Sequence, residues 1–111
     1  MNIECEKTNR GWVGIIKENG NTIASWQLER QGDYMVIHNT VNIWTPRTLK
    51  IYKEVFELVK EGIKKSGCKY IVTGCIDGWE KKIKYWRIMG FTLLNAVEMD
   101  GQLIKTAILE L

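Results

Sequence analysis

Apolar positions along the chain repeat with two periods, one typical of strands and one typical of helices. Residues 70–76 are apolar on both alternating faces, as a central strand covered on both sides would be. Asp77-Gly78 then predicts a turn, and apolar residues at helical spacing lead to Gly90, where a short helix is expected to stop. This strand and helix form the centre of the predicted fold. The basic residues of the helix are predicted to face solvent: Lys81, Lys82, Lys84 and Arg87.

Before this centre, the pattern predicts an antiparallel meander. Asn19-Gly20 lies between the apolar-rich runs 12–17 and 22–28, and both residues tolerate the positive φ that a type I′ hairpin turn requires. A second turn at 30–33 leads into a third strand over 34–41. Alternation over residues 3–6 adds a short strand in front of the meander.

One long helix is predicted between the meander and the central strand. Thr45 can cap its N-terminus, and Pro46 suits the first helical position because its missing N–H leaves no unpaired donor there. Ser66-Gly67 supplies the stop. An apolar stripe at three- and four-residue steps joins these two ends: Leu49, Tyr52, Phe56, Val59 and Ile63.

Asp100-Gly101 between the apolar runs 91–99 and 103–111 predicts a C-terminal β-hairpin. Together the elements predict a single domain over residues 1–111 of the α+β (mixed α/β) class. We expect a central, mostly antiparallel sheet of about six to seven strands with one long and one short helix. We also expect helices on both faces of the sheet.

Composition narrows the class of protein. The chain has 111 residues, of which 45% are hydrophobic and 26% charged, values ordinary for one soluble globular domain. No run of about 18 apolar residues is present, so we expect no membrane span. The acidic first residues lack the apolar core of a secretory signal. A net charge of +3 permits an acidic partner, but no nucleic-acid-binding motif is present and we expect no nucleic acid partner.

The cysteines and the histidine give no metal-binding pattern. Cys5, Cys68 and Cys75 are odd in number and form neither a disulfide framework nor a CxxC pair. We interpret the last two as small core residues of a protein in a reducing compartment such as the cytoplasm. His38 is the only histidine, so no metal site is expected.

The segment Trp86-Arg87-Ile88-Met89-Gly90-Phe91 ends the short helix and begins the next strand. Together with the order of elements from about Trp12 to Leu111, it resembles the GCN5-related N-acetyltransferase (GNAT) fold, whose members commonly end their last helix in Tyr-x-x-x-Gly-Phe. The chain looks most like the small GNAT-like proteins of tailed phages, some of which are virion components. Family enzymes usually place two helices after their first strand, and about a dozen residues before Trp12 leave no room for this pair.

The resemblance implies an acetyl-CoA site where a strand separates from its neighbour. There a glycine-rich turn presents backbone N–H groups and a helix N-terminus to the pyrophosphate. The corresponding segment 42–48 contains no glycine, and Pro46 removes one donor. We therefore keep both acetyl-CoA and the absence of a cofactor open. The candidate phosphate-binding residues are Thr45, Arg47, Thr48 and Lys50.

The catalytic positions also depart from the family pattern. The family tyrosine that protonates the departing thiolate lies four residues before the glycine, and Trp86, which occupies this position, cannot act as an acid near neutral pH. Tyr85 lies about 100° around the helix and should point elsewhere. A frequent family asparagine falls at Trp79. His38 and Tyr85 are the remaining candidate catalytic residues.

These departures favour a GNAT-like domain without efficient acetyl transfer. We expect it to act as an assembly, virion or interaction component of a phage, in the cytoplasm or in or on the phage particle, with a protein partner or a second copy. The alternative is an acetyl-CoA-dependent N-acetyltransferase acting on a small amine or peptide. If the chain is an enzyme, this acyl transfer is the expected reaction.

Overall fold

The chain folds around an eight-stranded mixed sheet in the computed structural model, which describes residues 2–76, 78 and 80–111. The strands lie side by side in the order β1-β2-β3-β4-β5-β8-β6, and β7 also pairs with β8. The elements are β1 Asn2–Lys7, β2 Gly11–Glu18, β3 Asn21–Gln31, β4 Tyr34–Val41, α1 Pro46–Lys65, β5 Tyr70–Ile76, α2 Glu80–Ile88, β6 Thr92–Leu93, β7 Val97–Met99 and β8 Gln102–Glu110.

The N-terminal strands form the predicted meander. Asn19 and Gly20 have φ values of 51° and 79°, which is the left-handed conformation that the tight turn between β2 and β3 requires. Residues 8–10 join β1 directly to β2, and the Thr8 N–H donates to the Gly11 carbonyl at 2.8 Å. No helix therefore lies between β1 and β2, whose connection is fully described.

Helix α1 begins and ends where the sequence predicts. Thr45 is its N-cap, Pro46 is its first residue and Gly67, with φ of 93°, follows its C-cap Ser66. Its buried face packs on the sheet and presents Thr48, Tyr52, Val55, Phe56 and Ile63.

The second described helix lies on the same face of the sheet as the first, so the expectation of helices on both faces is wrong. Ile37 of β4 and Thr73 of β5 line one small cavity together with Phe56 of α1 and Trp86 of α2. The sequence could not reveal which face of the sheet α2 covers, because the side chains of β5 are apolar on both faces. The opposite face of the sheet carries half-buried aliphatic side chains at matched register positions of β4, β5 and β8: Val36, Val72 and Ile108.

The C-terminal hairpin is confirmed, with Asp100 and Gly101 at φ of 52° and 78°. The predicted strand 91–99 is divided into β6 and β7, because residues 94–96 between them have no strand pairing. This division brings the strand number to eight within the described residues. The predicted turn residue Asp77 and helix residue Trp79 lie outside them.

The core lies between the sheet and the two helices. Trp86 is 1% exposed and Phe91 is 7% exposed, and the ring of Phe91 lies 5.7 Å from that of Phe56, centroid to centroid. Cys68 and Cys75 are buried, as expected for small core residues. Among the described residues, we find no helix that is both long enough and apolar enough to span a membrane.

Two glycines in different backbone environments provide a test of the packing. A Cβ on Gly11 would overlap the backbone carbonyl of Leu28, whereas a Cβ on Gly62 in α1 would meet no atom within 4 Å. We expect Gly11→Ala to lower the free energy of unfolding by about 1–3 kcal/mol because the two strands must move apart. Gly62→Ala is the matched control and should raise it by about 0.5–1 kcal/mol. Chemical denaturation measures both, and equal effects would contradict the register of β2 and β3.

Candidate functional site

The parallel strands β4 and β5 separate soon after they meet, and the candidate site lies at this fork. Residues 34–36 of β4 pair with residues 70–72 of β5, and the two strands then continue to Val41 and Ile76 along separate paths. The opening contains a cavity of about 550 Å³ between β4 and the start of α2. We call it the fork cavity; its described lining is Asn39, Thr40, Val41, Trp44, Glu80, Lys81 and Lys82.

The N-terminus of α1 bonds to side chains of the chain itself. The Thr48 N–H donates to Thr45 Oγ1 at 3.1 Å, and the Thr45 N–H donates to Thr48 Oγ1 at 2.9 Å, which forms a reciprocal capping box. Pro46 has no N–H to offer. Because free N–H groups are what make a helix start an anion site, a diphosphate could reach these two only by breaking the cap.

Side chains of α1 also form hydrogen bonds to the segment that connects β4 to α1. The Tyr52 hydroxyl donates to the Ile43 carbonyl at 2.8 Å, and Thr48 Oγ1 lies 3.0 Å from the same oxygen. Thr48 is 3% exposed, so its side chain is part of the interior. Side-chain hydrogen bonds thus hold the course of this segment.

Arg47 is paired within the fold as well. Its guanidinium donates through both terminal nitrogens to the carboxylate of Glu18 at the end of β2, with 2.9 Å between Nη1 and Oε2. This hydrogen bonding lowers the pKa of Glu18 and raises the pKa of Arg47. Lys50 is exposed further along the first turns of α1. The structure gathers all four candidate residues near the helix start, and their binding to phosphate stays a prediction.

Tyr85 points toward the end of β4, contrary to the expectation that it points elsewhere. Its ring meets Trp44 edge to face with centroids 5.3 Å apart, and Tyr85 and Asn39 line the same small cavity. The expectation was wrong because α2 is buried over a wide angle, with Tyr85 at 8% and Trp86 at 1% exposure. Burial raises the pKa of Tyr85 to about 12, so the phenol stays protonated near neutral pH and is a weaker acid than an ordinary tyrosine.

Lys82 crosses the fork, although the sequence predicts that it faces solvent. Its Nζ donates to the Asn39 carbonyl at 2.7 Å, which connects α2 to β4. Burial lowers the pKa of its amino group. The sequence pattern missed this contact because a basic residue in a short helix looks solvent-exposed whenever the facing strand is unknown.

His38 is exposed and lies beside Gln27 of β3 in the sheet register. It follows the buried Ile37 in β4, so its side chain lies on the opposite face of the sheet. It is not among the described residues that line the fork cavity. Its assignment as a general base stays a prediction. The described residues contain no group of three or more His, Cys, Asp or Glu side chains arranged to hold a metal ion.

Sequence reasoning also missed Asn39 and Trp44, which meet Lys82 and Tyr85 at the fork. Asn39 lies near the end of β4 and Trp44 follows that strand, and their roles arise only when α2 is placed against β4. Trp44 had a usable signal, because a bulky residue precedes the helix where the family has glycine.

No protein-family profile and no curated protein matches the chain in sequence. Solved structures do match its fold. An IAA acetyltransferase from Bacillus cereus is 15% identical, with 99% of this chain and 100% of that chain covered and a TM-score of 0.72. A Bacillus subtilis acetyltransferase in complex with CoA is also 15% identical, with coverage of 98% and 97% and a TM-score of 0.72. The GNAT domain of an S. lividans protein, PAT, is 16% identical over 90% of this chain and 60% of that chain, with a TM-score of 0.70. The chain therefore has the GNAT fold.

The capping box makes Thr45 a structural residue in this geometry, and this role is testable. We expect Thr45→Ala to lower the free energy of unfolding by about 1 kcal/mol, because the Thr48 N–H loses its acceptor. Lys50→Ala, a few residues further on and exposed, is the control and should change it by less than about 0.5 kcal/mol. Both values come from chemical denaturation, and a neutral Thr45→Ala would show that the cap contributes nothing to folding.

Tyr85 should make stability depend on alkaline pH. Its folded pKa of about 12 lies above the ordinary value of 10.0, so the folded state keeps a proton that the unfolded state loses. The stabilisation is complete below pH 10 and is lost as the pH rises toward 12, an effect on the order of 2–3 kcal/mol. We expect denaturation curves of Tyr85→Phe to lack this component. A variant that loses stability as steeply as the parent between those pH values would refute the assignment.

Proposed function

We propose that this chain is a GNAT-fold domain without efficient acetyl transfer that serves as an assembly or interaction component. One observation carries the proposal: three of the groups at the α1 N-terminus that would bind a diphosphate, the Thr45 N–H, the Thr48 N–H and the Arg47 guanidinium, are already paired with Thr48, Thr45 and Glu18. A ligand that competes for these groups must replace bonds of the fold, which reduces its net gain. In this arrangement the residues do not fit the diphosphate of CoA.

The residue at the position of the family's acidic tyrosine gives independent support to the proposal. Trp86 occupies the place of the family tyrosine and is buried in the core, while its neighbour Tyr85 holds its proton far above neutral pH. An amine acetylation that ends in thiolate departure is accelerated by a proton donor near the sulfur. Neither Trp86 nor Tyr85 is therefore well suited to be that donor.

Exposed apolar side chains support an interaction role. Four of them lie in or beside the C-terminal hairpin with exposures from 43% to 59%, and the register places Val97 and Met99 on one face of it and Leu103 on the other. Exposed apolar side chains of this kind commonly contribute to interaction sites. The resemblance to small proteins of tailed phages suggests a virion or assembly context, with a second copy or another protein as partner. The exposed residues are Leu94, Val97, Met99 and Leu103.

Titration calorimetry with acetyl-CoA, and separately with CoA, tests the proposal. We expect no heat of binding at micromolar strength and no rise in melting temperature with ligand in large excess. We also expect no turnover with polyamines or peptides as acceptors. Micromolar binding together with robust turnover would overturn the proposal.

The fork cavity favours a second candidate function, an acetyl-CoA-dependent N-acetyltransferase acting on a small amine or peptide. Its volume of about 550 Å³ lies in the range of ligand sites, and two short GNAT-fold structures, one of them with CoA, align over nearly the whole chain. In this candidate, Arg47 would leave Glu18 to hold phosphate and His38 would take the amine proton. Arg47→Ala should then weaken CoA binding while Lys53→Ala, exposed on the same helix, should not.

A further inference from the structure

Two buried polar atoms at the base of the fork have no hydrogen-bond partner among the residues that the structure describes. They are Nε1 of Trp86 and Oγ1 of Thr73, whose residues are 1% and 3% exposed. An unpaired buried donor is costly, and native proteins pair the great majority of such groups with protein atoms or ordered water. The two atoms therefore call for an acceptor that the chain itself does not provide.

Both residues line one small cavity, which we call the inner cavity. It lies just past the last paired residues of β4 and β5, because Ile37 and Asn39 follow residue 36 while Thr73 follows residue 72. Its volume of about 10 Å³ is close to the minimum that accommodates one water molecule. The rest of its lining is largely apolar, which excludes an ion, since no opposite charge is present to compensate burial. The complete lining is Ile37, Asn39, Phe56, Thr73, Tyr85, Trp86, Met89 and Phe91.

We propose that the inner cavity binds one water molecule that accepts from the Trp86 indole N–H and hydrogen-bonds the Thr73 hydroxyl. An indole can only donate, whereas a hydroxyl donates and accepts, so a single water satisfies both groups. This water links α2 to β5 at the point where the parallel ladder ends. Lys82 already links α2 to Asn39 of β4. Helix α2 is then hydrogen-bonded to both arms of the fork.

The inference gives Trp86 a role that does not depend on the proposed function. Tryptophan at the position of the family tyrosine removes an acid and adds a buried donor, and the water gives that donor a partner. Any ligand that separated β4 from β5 further would have to displace this water and break the bond between Lys82 and Asn39.

The experiment is nuclear magnetic resonance of the ¹⁵N-labelled full chain without ligand. Each tryptophan gives one indole N–H signal, and Trp86→Phe identifies the Trp86 signal by its loss; if that variant does not fold, through-bond correlations identify it instead. We expect the Trp86 indole proton to show cross-relaxation with a long-lived water. In Thr73→Val, which removes the hydroxyl at nearly constant volume, we expect this contact to be lost or the signal to shift.

The stability of the Thr73 variants provides a second measurement, and the direction of its change tests the proposal. If the water is bound, Thr73→Val should lower the midpoint of chemical denaturation. Thr73→Ser keeps the hydroxyl, so its Trp86 indole signal should be that of the parent protein. Thr40→Val, at an exposed position of β4, is the matched control and should leave the Trp86 signal unchanged. Two results overturn the proposal: an indole without water contact, or a Thr73→Val variant that is more stable than the parent with an unchanged Trp86 signal.

Discussion

The parallel pairing of β4 with β5 is the interaction on which the rest of the structure depends. It joins the N-terminal meander to the C-terminal strands, and it extends over only residues 34–36 and 70–72. A parallel ladder cannot be connected by a tight turn, so the chain must cross over the sheet between the two strands, and α1 is that crossover. The start of α1 therefore lies near the open end of the fork.

At that open end, the backbone N–H groups of the helix start can either bind an anion or form hydrogen bonds within the fold. A helix start with free N–H groups and glycines beside it attracts a phosphate, whereas Thr45, Pro46 and Thr48 satisfy or remove these donors locally. The local solution stabilises α1 in the absence of any ligand. It also makes this part of the GNAT fold less suited to a diphosphate, which is why the fold does not by itself decide the activity.

Helix α2 shows how burial changes the chemistry of a side chain. Tyr85 and Trp86 are both enclosed, one against Trp44 and Asn39 and the other in the core. Burial keeps the phenol protonated to about pH 12, and it leaves the indole with an N–H for which the described part of the chain provides no acceptor. The helix also connects to β4 through the hydrogen bond between Lys82 and Asn39.

The sequence by itself determined the local elements. The caps of α1, the turns at Asn19-Gly20 and Asp100-Gly101 and the apolar periods all act between residues close in the chain, so they could be read without a structure. The GNAT resemblance correctly supplied the fold class, and the binding of phosphate by the four candidate residues at the start of α1 stays a prediction. Only the tertiary structure decided which face of the sheet α2 covers, that Tyr85 meets Trp44, and that Lys82 reaches Asn39. These contacts join residues about 40 positions apart, and their geometry depends on how far β4 and β5 diverge, which no local pattern encodes.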